Sequence, residues 1–476
     1  MKIKDTIKIT KGTALICTDS EKNYKFLSSI EYGNLTASDY IYIPLIENNE
    51  NVFDEIEKHL KNKYCKGFYL NKEILKKPEN QIHYHNILKT YTSKIEVVVL
   101  VRNSFNSGFE IGEQNIKTFR PKVVSIAGTE EKSVVSSFVK YALSLKGKTV
   151  GSNKKAQPWQ KLIEPMLNVD DKTQYCVIEL LLDKNAIYEY AKNSLVNNTI
   201  IYTKTALNFL NKYSNDKDKF MDTIASIADN PDNIQNIFTF EANDFVNSGL
   251  KTNKINIIEE QRIETNITQP SIFRKKALNV KYKDLSFTTD NYAYYIPRCL
   301  VISYFALKSL GLDDKFIKKC IANFKDTSGI YEETKFSLNN YLVMSSEDHT
   351  AFSIQNAVEQ FCFEYNGFKK ILILSKIENL GNYSNSIHKE LMENLAKEEF
   401  DTVVLINMYD YEAAYKVHNK KAFVKRFKLN NSINHRNFIL NLKMFLESRV
   451  DENTAILVCV PSSINLNVLF NTKGEI

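Results

Sequence analysis

Glycine and proline are scarce in this chain of 476 residues, with 14 Gly and 9 Pro, roughly 3% and 2% where globular proteins average about 7% and 5%. Residues 152–248 contain no Gly at all. Because Gly lets backbone approach a phosphate closely, the shortage argues against a glycine-rich nucleotide loop as a first expectation. Paired cysteines are missing too. The seven Cys, at positions 17, 65, 176, 299, 320, 362 and 459, form no CxxC pair, which argues against a zinc site or a disulfide framework and for a reducing compartment. The N-terminus MKIKDTIKITKG lacks the apolar segment of a signal peptide, and no apolar run approaches a membrane span, so the cytoplasm is the expected location. Charge of one sign is not in large excess: 63 Lys+Arg against 56 Asp+Glu gives +7. The densest basic stretch, Lys416 to Lys428, includes Lys420, Lys421, Lys425 and Arg426. It comes without an RNA- or DNA-binding signature, so a solvated helix face is expected there and no nucleic-acid partner.

What is present is a globular chain. Hydrophobic residues make up 43% and aromatics 12%, which excludes disorder and supplies cores for two to four domains. Short apolar runs read as strands: TALICT, DYIYIPL, KGFYL, IEVVVLV, PKVVSIAG, YCVIELLL, NTIIYT, KILILS, DTVVLIN and AILVCV. Helical periods fall between them, at Val52–Lys61, Glu131–Lys146 and Ile387–Lys397. The alternation predicts an α/β fold with parallel, doubly wound sheets. Composition breaks near residue 100 and near 323–330 divide the chain into three α/β domains, at 1–100, 101–324 and 325–476. His83 and His85, in IHYH, are expected at alternating strand positions, as structural residues. Trp159, the only Trp, is expected in packing.

One stretch has the grammar of a nucleotide site. Val123-Val-Ser-Ile-Ala-Gly-Thr-Glu-Glu-Lys-Ser133 is an apolar strand, a short turn and a helix start. A P-loop needs that context, with backbone N–H groups facing the phosphates, Lys on the terminal oxygens and a hydroxyl on Mg²⁺. Gly128, Thr129, Lys132 and Ser133 resemble the G-T-x-G-K-T/S loop of the Mur ligase family, with Glu131 where the second Gly would stand. Leu374-Ser-Lys-Ile-Glu-Asn-Leu-Gly-Asn-Tyr-Ser384, followed by His388-Lys-Glu-Leu391, resembles the C-terminal L-G-D-M-x-E-L-G-x-x-S … H-x-E-L stretch of the D-alanyl-D-alanine-adding members. Weaker matches lie in the same order along the chain: Ser38–Leu45 with Asn51–Ile56, Val177-Ile-Glu-Leu180, and Ser303–Leu312. The resemblance implies a three-domain α/β architecture, with a central P-loop-type parallel-sheet domain flanked by two smaller α/β domains. It also implies ATP, Mg²⁺ held by Ser133 and Glu179, and ligation of a carboxylate to an amine through an acyl phosphate. UDP-linked muropeptide and D-Ala-D-Ala are the substrates it would bring.

Several parts of that chemistry are missing from the sequence. Glu131, with Glu130 beside it, puts carboxylates where phosphate should sit, and a like-charge pair about 5 Å apart costs on the order of 3 kcal/mol at an effective dielectric of about 20. Lys132 is expected to recover part of this by pairing with Glu131. The expected His is Leu207, Lys217 and Lys219 lie near the position of a carbamylated Lys, and Tyr295–Val301 lacks the base-contacting Asn residues. Glu347, Asp348 and His349 form a polar cluster expected in an exposed loop, and His388 suits either packing or substrate contact. Two readings follow. One is a descendant that kept the fold, uses no nucleotide cofactor and serves as a binding or assembly component for a protein partner. The other is an active ATP-dependent ligase of the Mur type.

Overall fold

The structure, a computed structural model, describes residues 1–28, 38–45, 51–152, 158–180, 196–204, 216, 218–219, 222, 226–228, 231–241, 254–268, 277–291, 293–325, 331–337, 339–345, 349–378, 380–429, 435–461, 464 and 466. Its chain builds an α/β protein from four sheets.

The first sheet contains β1 (Thr13–Cys17), β2 (Lys25–Leu27), β3 (Tyr40–Tyr42), β4 (Cys65–Asn71) and β5 (Val97–Val101), in the order β1-β5-β4-β3-β2. Only the β1–β5 pairing is antiparallel. β5 reads VVVLV without alternation because both faces of the sheet are covered, as parallel strands require. One face packs on α2 (Val52–Lys61) and α3 (Pro78–Thr90) through Ile56, Leu60, Tyr84 and Ile87. The other face shares a single core with the next domain, where Ile43 and Leu45 join Phe109 and Ile163. Phe109 is carried by α4 (Ser104–Phe119), which follows α1 (Ile3–Ile9) in this layer. Packing is thus continuous from the first sheet into the elements that follow residue 101.

The IHYH expectation is corrected. His83 and His85 lie in helix α3, whose first turn carries Pro78, where proline's missing N–H costs nothing. Tyr84 and Ile87, three apart, are the buried pair of that helix, so the two His face outward.

The second sheet is fully parallel: β6 (Lys122–Ala127), β7 (Thr149–Gly151), β8 (Tyr175–Glu179), β9 (Asn198–Tyr202), β10 (Ile234–Phe240) and β11 (Ile255–Ile258), in the order β11-β10-β9-β6-β8-β7. Helices α5 (Lys132–Ser144) and α6 (Pro158–Leu167) connect β6 to β7 and β7 to β8. A three-stranded antiparallel sheet follows, β12 (Glu264–Thr268), β13 (Ala277–Tyr282) and β14 (Leu285–Thr289). It was not expected. Its alternation of buried Leu278, Val280 and Tyr282 with polar residues is a strand signal, but the β13–β14 turn is Lys283-Asp284, with Lys283 at φ +52° and no Gly to mark it. Helices α7 (Ile296–Ser309) and α8 (Asp314–Asn323) close this unit against α5.

The last unit contains β15 (Glu332–Ser337), β16 (Asn340–Met344), β17 (Lys369–Ser375), β18 (Thr402–Ile406), β19 (Phe423–Phe427) and β20 (Thr454–Cys459), ordered β15-β16-β20-β17-β18-β19 and parallel except at β15. α9 (Ala351–Glu364), α10 (Ser384–Leu395) and α11 (Glu412–His418) cover one face, and α12 (His435–Glu447) covers the other. The basic stretch from Lys416 continues past α11 into β19, the edge strand, so it is a helix end and a strand rather than one helix face. No helix among the described residues is long and apolar enough to cross a membrane, and the Cys are all free thiols.

His59 of α2 generates a prediction. Its ring is buried, stacked on Tyr42 at 3.7 Å, with Nδ1 3.2 Å from the Tyr40 hydroxyl. Burial pushes its pKa down to about 3. The unfolded chain therefore takes up a proton near pH 6.5 that the folded chain refuses, and stability present above pH 6.5 is lost as pH falls towards 3. The slope is at most about 1.4 kcal/mol per pH unit. Thermal unfolding at pH 7.5, 6 and 5 should show this loss, and His59→Phe should flatten it. An unchanged slope would count against the assignment.

Candidate functional site

The candidate site begins where β6 ends. Chain connections from this central strand turn one way to β7 and β8 and the other way to β9, β10 and β11. Crevices at such reversals, beyond the carboxyl ends of parallel strands, are where α/β sheets bind ligands. Gly128 follows β6 with φ +125°, and a Cβ there would lie 2.2 Å from Thr203 Oγ1 and 2.9 Å from the Lys204 carbonyl oxygen. Only Gly fits, because the loop presses against the end of β9. The N–H groups of Thr129 and Glu130 both donate to Lys204 O, at 2.9 and 3.1 Å. These two loop amides are turned into the protein.

Glu131 is the residue before α5 and adopts φ +63°, the left-handed conformation that Gly takes most easily. Its side chain is buried. Both carboxylate oxygens accept from Arg298 Nε, at 2.9 and 2.8 Å, and Oε1 also accepts from a terminal guanidinium nitrogen. Cys299 Sγ lies 3.4 Å from Oε2. Arg298 sits in the first turn of α7, itself buried, and reaches Glu260 at 3.4 Å. Glu260 pairs in turn with Lys204 at 3.1 Å. Burial opposes the Arg298 charge, but the Glu131 carboxylate outweighs it and raises the guanidinium pKa above its ordinary value. Negative charge at a helix N-terminus is also favourable, which suits the Glu131 carboxylate to the start of α5. The partner of Glu131 is thus Arg298 and not Lys132, whose Nζ donates to Leu180 O at 2.9 Å. That corrects the expected Lys132–Glu131 pair.

Glu130 is buried as well. Its Oε1 accepts from Thr350 Oγ1 at 2.5 Å, and Thr350 is the N-cap of α9 in the C-terminal unit. Phe352 of α9 lies under two cations, with Lys204 Nζ 4.0 Å and Arg298 Cζ 5.1 Å from its ring centre.

The residues expected to hold a metal do come together. Ser133 Oγ is 3.4 Å from Glu179 Oε2, at the end of β8. A third side chain is there: Lys161 Nζ, from α6, is 3.4 Å from Glu179 Oε2 and 3.3 Å from Ser133 Oγ. Ser152 Oγ donates to Glu179 Oε1 at 3.2 Å. An ammonium therefore bridges the two groups a cation would bridge, and no group of three metal-binding side chains occurs among the described residues.

His388 makes its contacts within the C-terminal unit. It is buried on α10, stacked on Tyr411, with Ile377 N–H donating to Nε2 at 2.9 Å and Nδ1 donating to Ser384 O at 2.6 Å. Both ring nitrogens are used within the domain, a packing role. His349, expected in an exposed loop, is instead half-buried, with Nε2 3.2 Å from Ser375 O; desolvation of its ring pushes its pKa down to about 4. Lys219 is exposed, while Leu207, Lys217, Glu347, Asp348 and the side chain of Trp159 lie outside the described residues. Arg298, Thr350, Lys161 and Lys204 were missed. Arg298 alone carried a signal, as a lone charge in the apolar helix IPRCLVISYF.

A central parallel sheet with a strand–loop–helix crevice, set between two further α/β units, is a multi-domain α/β architecture. Within it, the chain has the fold of the Mur ligases. It superposes on MurF from Acinetobacter baumannii with a TM-score of 0.72 at 14% identity, over 98% of this chain and 97% of that one. Against MurF from Thermotoga maritima in complex with ADP the values are 0.67 and 13%, over 95% and 97%. A pseudomurein peptide ligase type C from Methanothermus fervidus gives 0.60 and 14%, over 92% and 94%. No family model matches the sequence, and no curated protein sequence matches it.

The buried pair sets a test. Arg298→Met leaves the Glu131 carboxylate inside without its main partner, and such losses cost about 3–5 kcal/mol. Denaturant unfolding should show that loss. Adding Glu131→Gln should restore most of it, because the stranded charge is then gone. Equal stability of the single and double variants would remove Arg298–Glu131 from the account.

Proposed function

We propose that this protein keeps the Mur-ligase fold without normal ATP-dependent ligation, and works as a binding or assembly component with a protein partner. One observation carries the reading: the phosphate loop is bonded to its own chain. The Thr129 and Glu130 amides donate to Lys204 O, and the buried Glu131 carboxylate is held by Arg298. Lys161 bridges Ser133 and Glu179. As they stand, these residues do not fit Mg²⁺ and a triphosphate. A nucleotide would have to bring more negative charge beside Glu130 and Glu131, and the metal would have to displace an ammonium.

A second reading, an active carboxylate–amine ligase, has its own support. Lys132 and Ser133, at the start of α5, stay beside Leu180 and Glu179 at the end of β8, and the likeness to MurF covers nearly the whole chain. UDP-linked muropeptide and D-Ala-D-Ala would then be the substrates, with ATP and Mg²⁺ as cofactors.

Mg-ATP titration of the purified chain separates the two. The non-ligase reading expects no thermal stabilisation at millimolar ATP, where a ligand at 100 times its Kd would add about 2.7 kcal/mol. A clear shift in the wild type that Lys132→Ala abolishes would overturn it.

A further inference from the structure

Glu130 and Glu131 do more than fill the loop, because each also meets the C-terminal unit, directly or through one residue. Glu130 accepts from Thr350, the cap of α9. Glu131 holds Arg298, and Arg298 with Lys204 supports the ring of Phe352 on the same helix. Both cations are kept in place from the other side by Glu260. Two further bonds follow the same line: Tyr294 N–H donates to Gln360 Oε1 at 2.8 Å and the Tyr294 hydroxyl donates to Ser353 O at 3.1 Å. The helix N-terminus at a sheet reversal is a place where anions bind. Here the loop itself carries two carboxylates, and they bond away from it, to Arg298 and to Thr350.

We propose that Glu130 and Glu131 are tethered anions that clasp the C-terminal unit onto the central one with no ligand bound, so that docking of α9 is a built-in property of the chain. The proposal rests on the reading that this loop takes no nucleotide. Tethering favours these junction contacts, since an intramolecular group meets its partner at an effective concentration in the millimolar range or above. The network is also graded. Glu130 makes a direct hydrogen bond across the junction, whereas Glu131 acts at one remove, by fixing the guanidinium on which Phe352 rests. A cation held over an aromatic face attracts it most strongly when both are desolvated, and Arg298 is buried here.

Hydrogen–deuterium exchange on the full-length chain tests this, without nucleotide and again with Mg-ATP. Glu130→Ala leaves the cap of α9 untouched, because Thr350 and Ser353 bond to each other. It should nevertheless raise exchange across 349–364 roughly tenfold, the loss expected for one hydrogen bond to a charged acceptor. Phe352→Leu should raise it too. The double variant should exceed the larger single effect by less than the sum, since both act on one junction. Faster exchange confined to 128–135, with 349–364 unchanged in both variants, would overturn the clasp. The nucleotide arm is separate. Protection of the wild type by Mg-ATP would sink the non-ligase reading, and the clasp would survive it if Glu130→Ala still opens 349–364.

Discussion

A buried arginine needs a carboxylate, and much of the centre of this molecule follows from that need. Arg298 enters the apolar start of α7 and is almost wholly removed from water. Glu131 answers its charge with both oxygens. To do so it stands at the head of α5 in a backbone conformation costly for any residue with a Cβ. The loop it belongs to is drawn against β9, the Glu260–Lys204 pair forms on its outer side, and Phe352 settles over the two cations. Buried ion pairs contribute little net stability compared with apolar replacements, but they are costly to break singly. Such a pair fixes an arrangement more than it strengthens one.

The same logic repeats on a smaller scale beside it. Lys161 Nζ lies between Ser133 and Glu179, 3.3 and 3.4 Å from their oxygens. In each case a buried charge meets a side chain of opposite sign from another element. The Glu131 carboxylate answers Arg298, and the Lys161 ammonium answers Glu179. Charge balance in the crevice is thus reached within the chain.

Much of the framework was legible in the sequence, because parallel strands buried on both faces announce themselves as runs such as VVVLV and TVVLI. α2 was legible to the residue from its buried Val52, Ile56 and Leu60. The hairpin of β13 and β14 was not, since its turn is made by Lys283-Asp284 and carries no Gly. The site was legible only in part. A carboxylate at position 131 could be read from the sequence, but its partner could not. Arg298 lies 167 residues away and Thr350 lies 220 residues from Glu130, and only the packing of α7 and α9 brings them together. Local pattern reveals what a loop lacks, and tertiary packing decides what replaces it.

The left-handed backbone of Glu131 couples two distant positions. Glycine at 131 would relieve strain on the order of 1–2 kcal/mol, yet it would leave the buried Arg298 with Glu260, at 3.4 Å, as its carboxylate partner and with the rings of Tyr294 and Phe352. The exchange is uphill unless position 298 changes as well. A residue that looks like a local backbone choice is therefore set by a side chain on another helix.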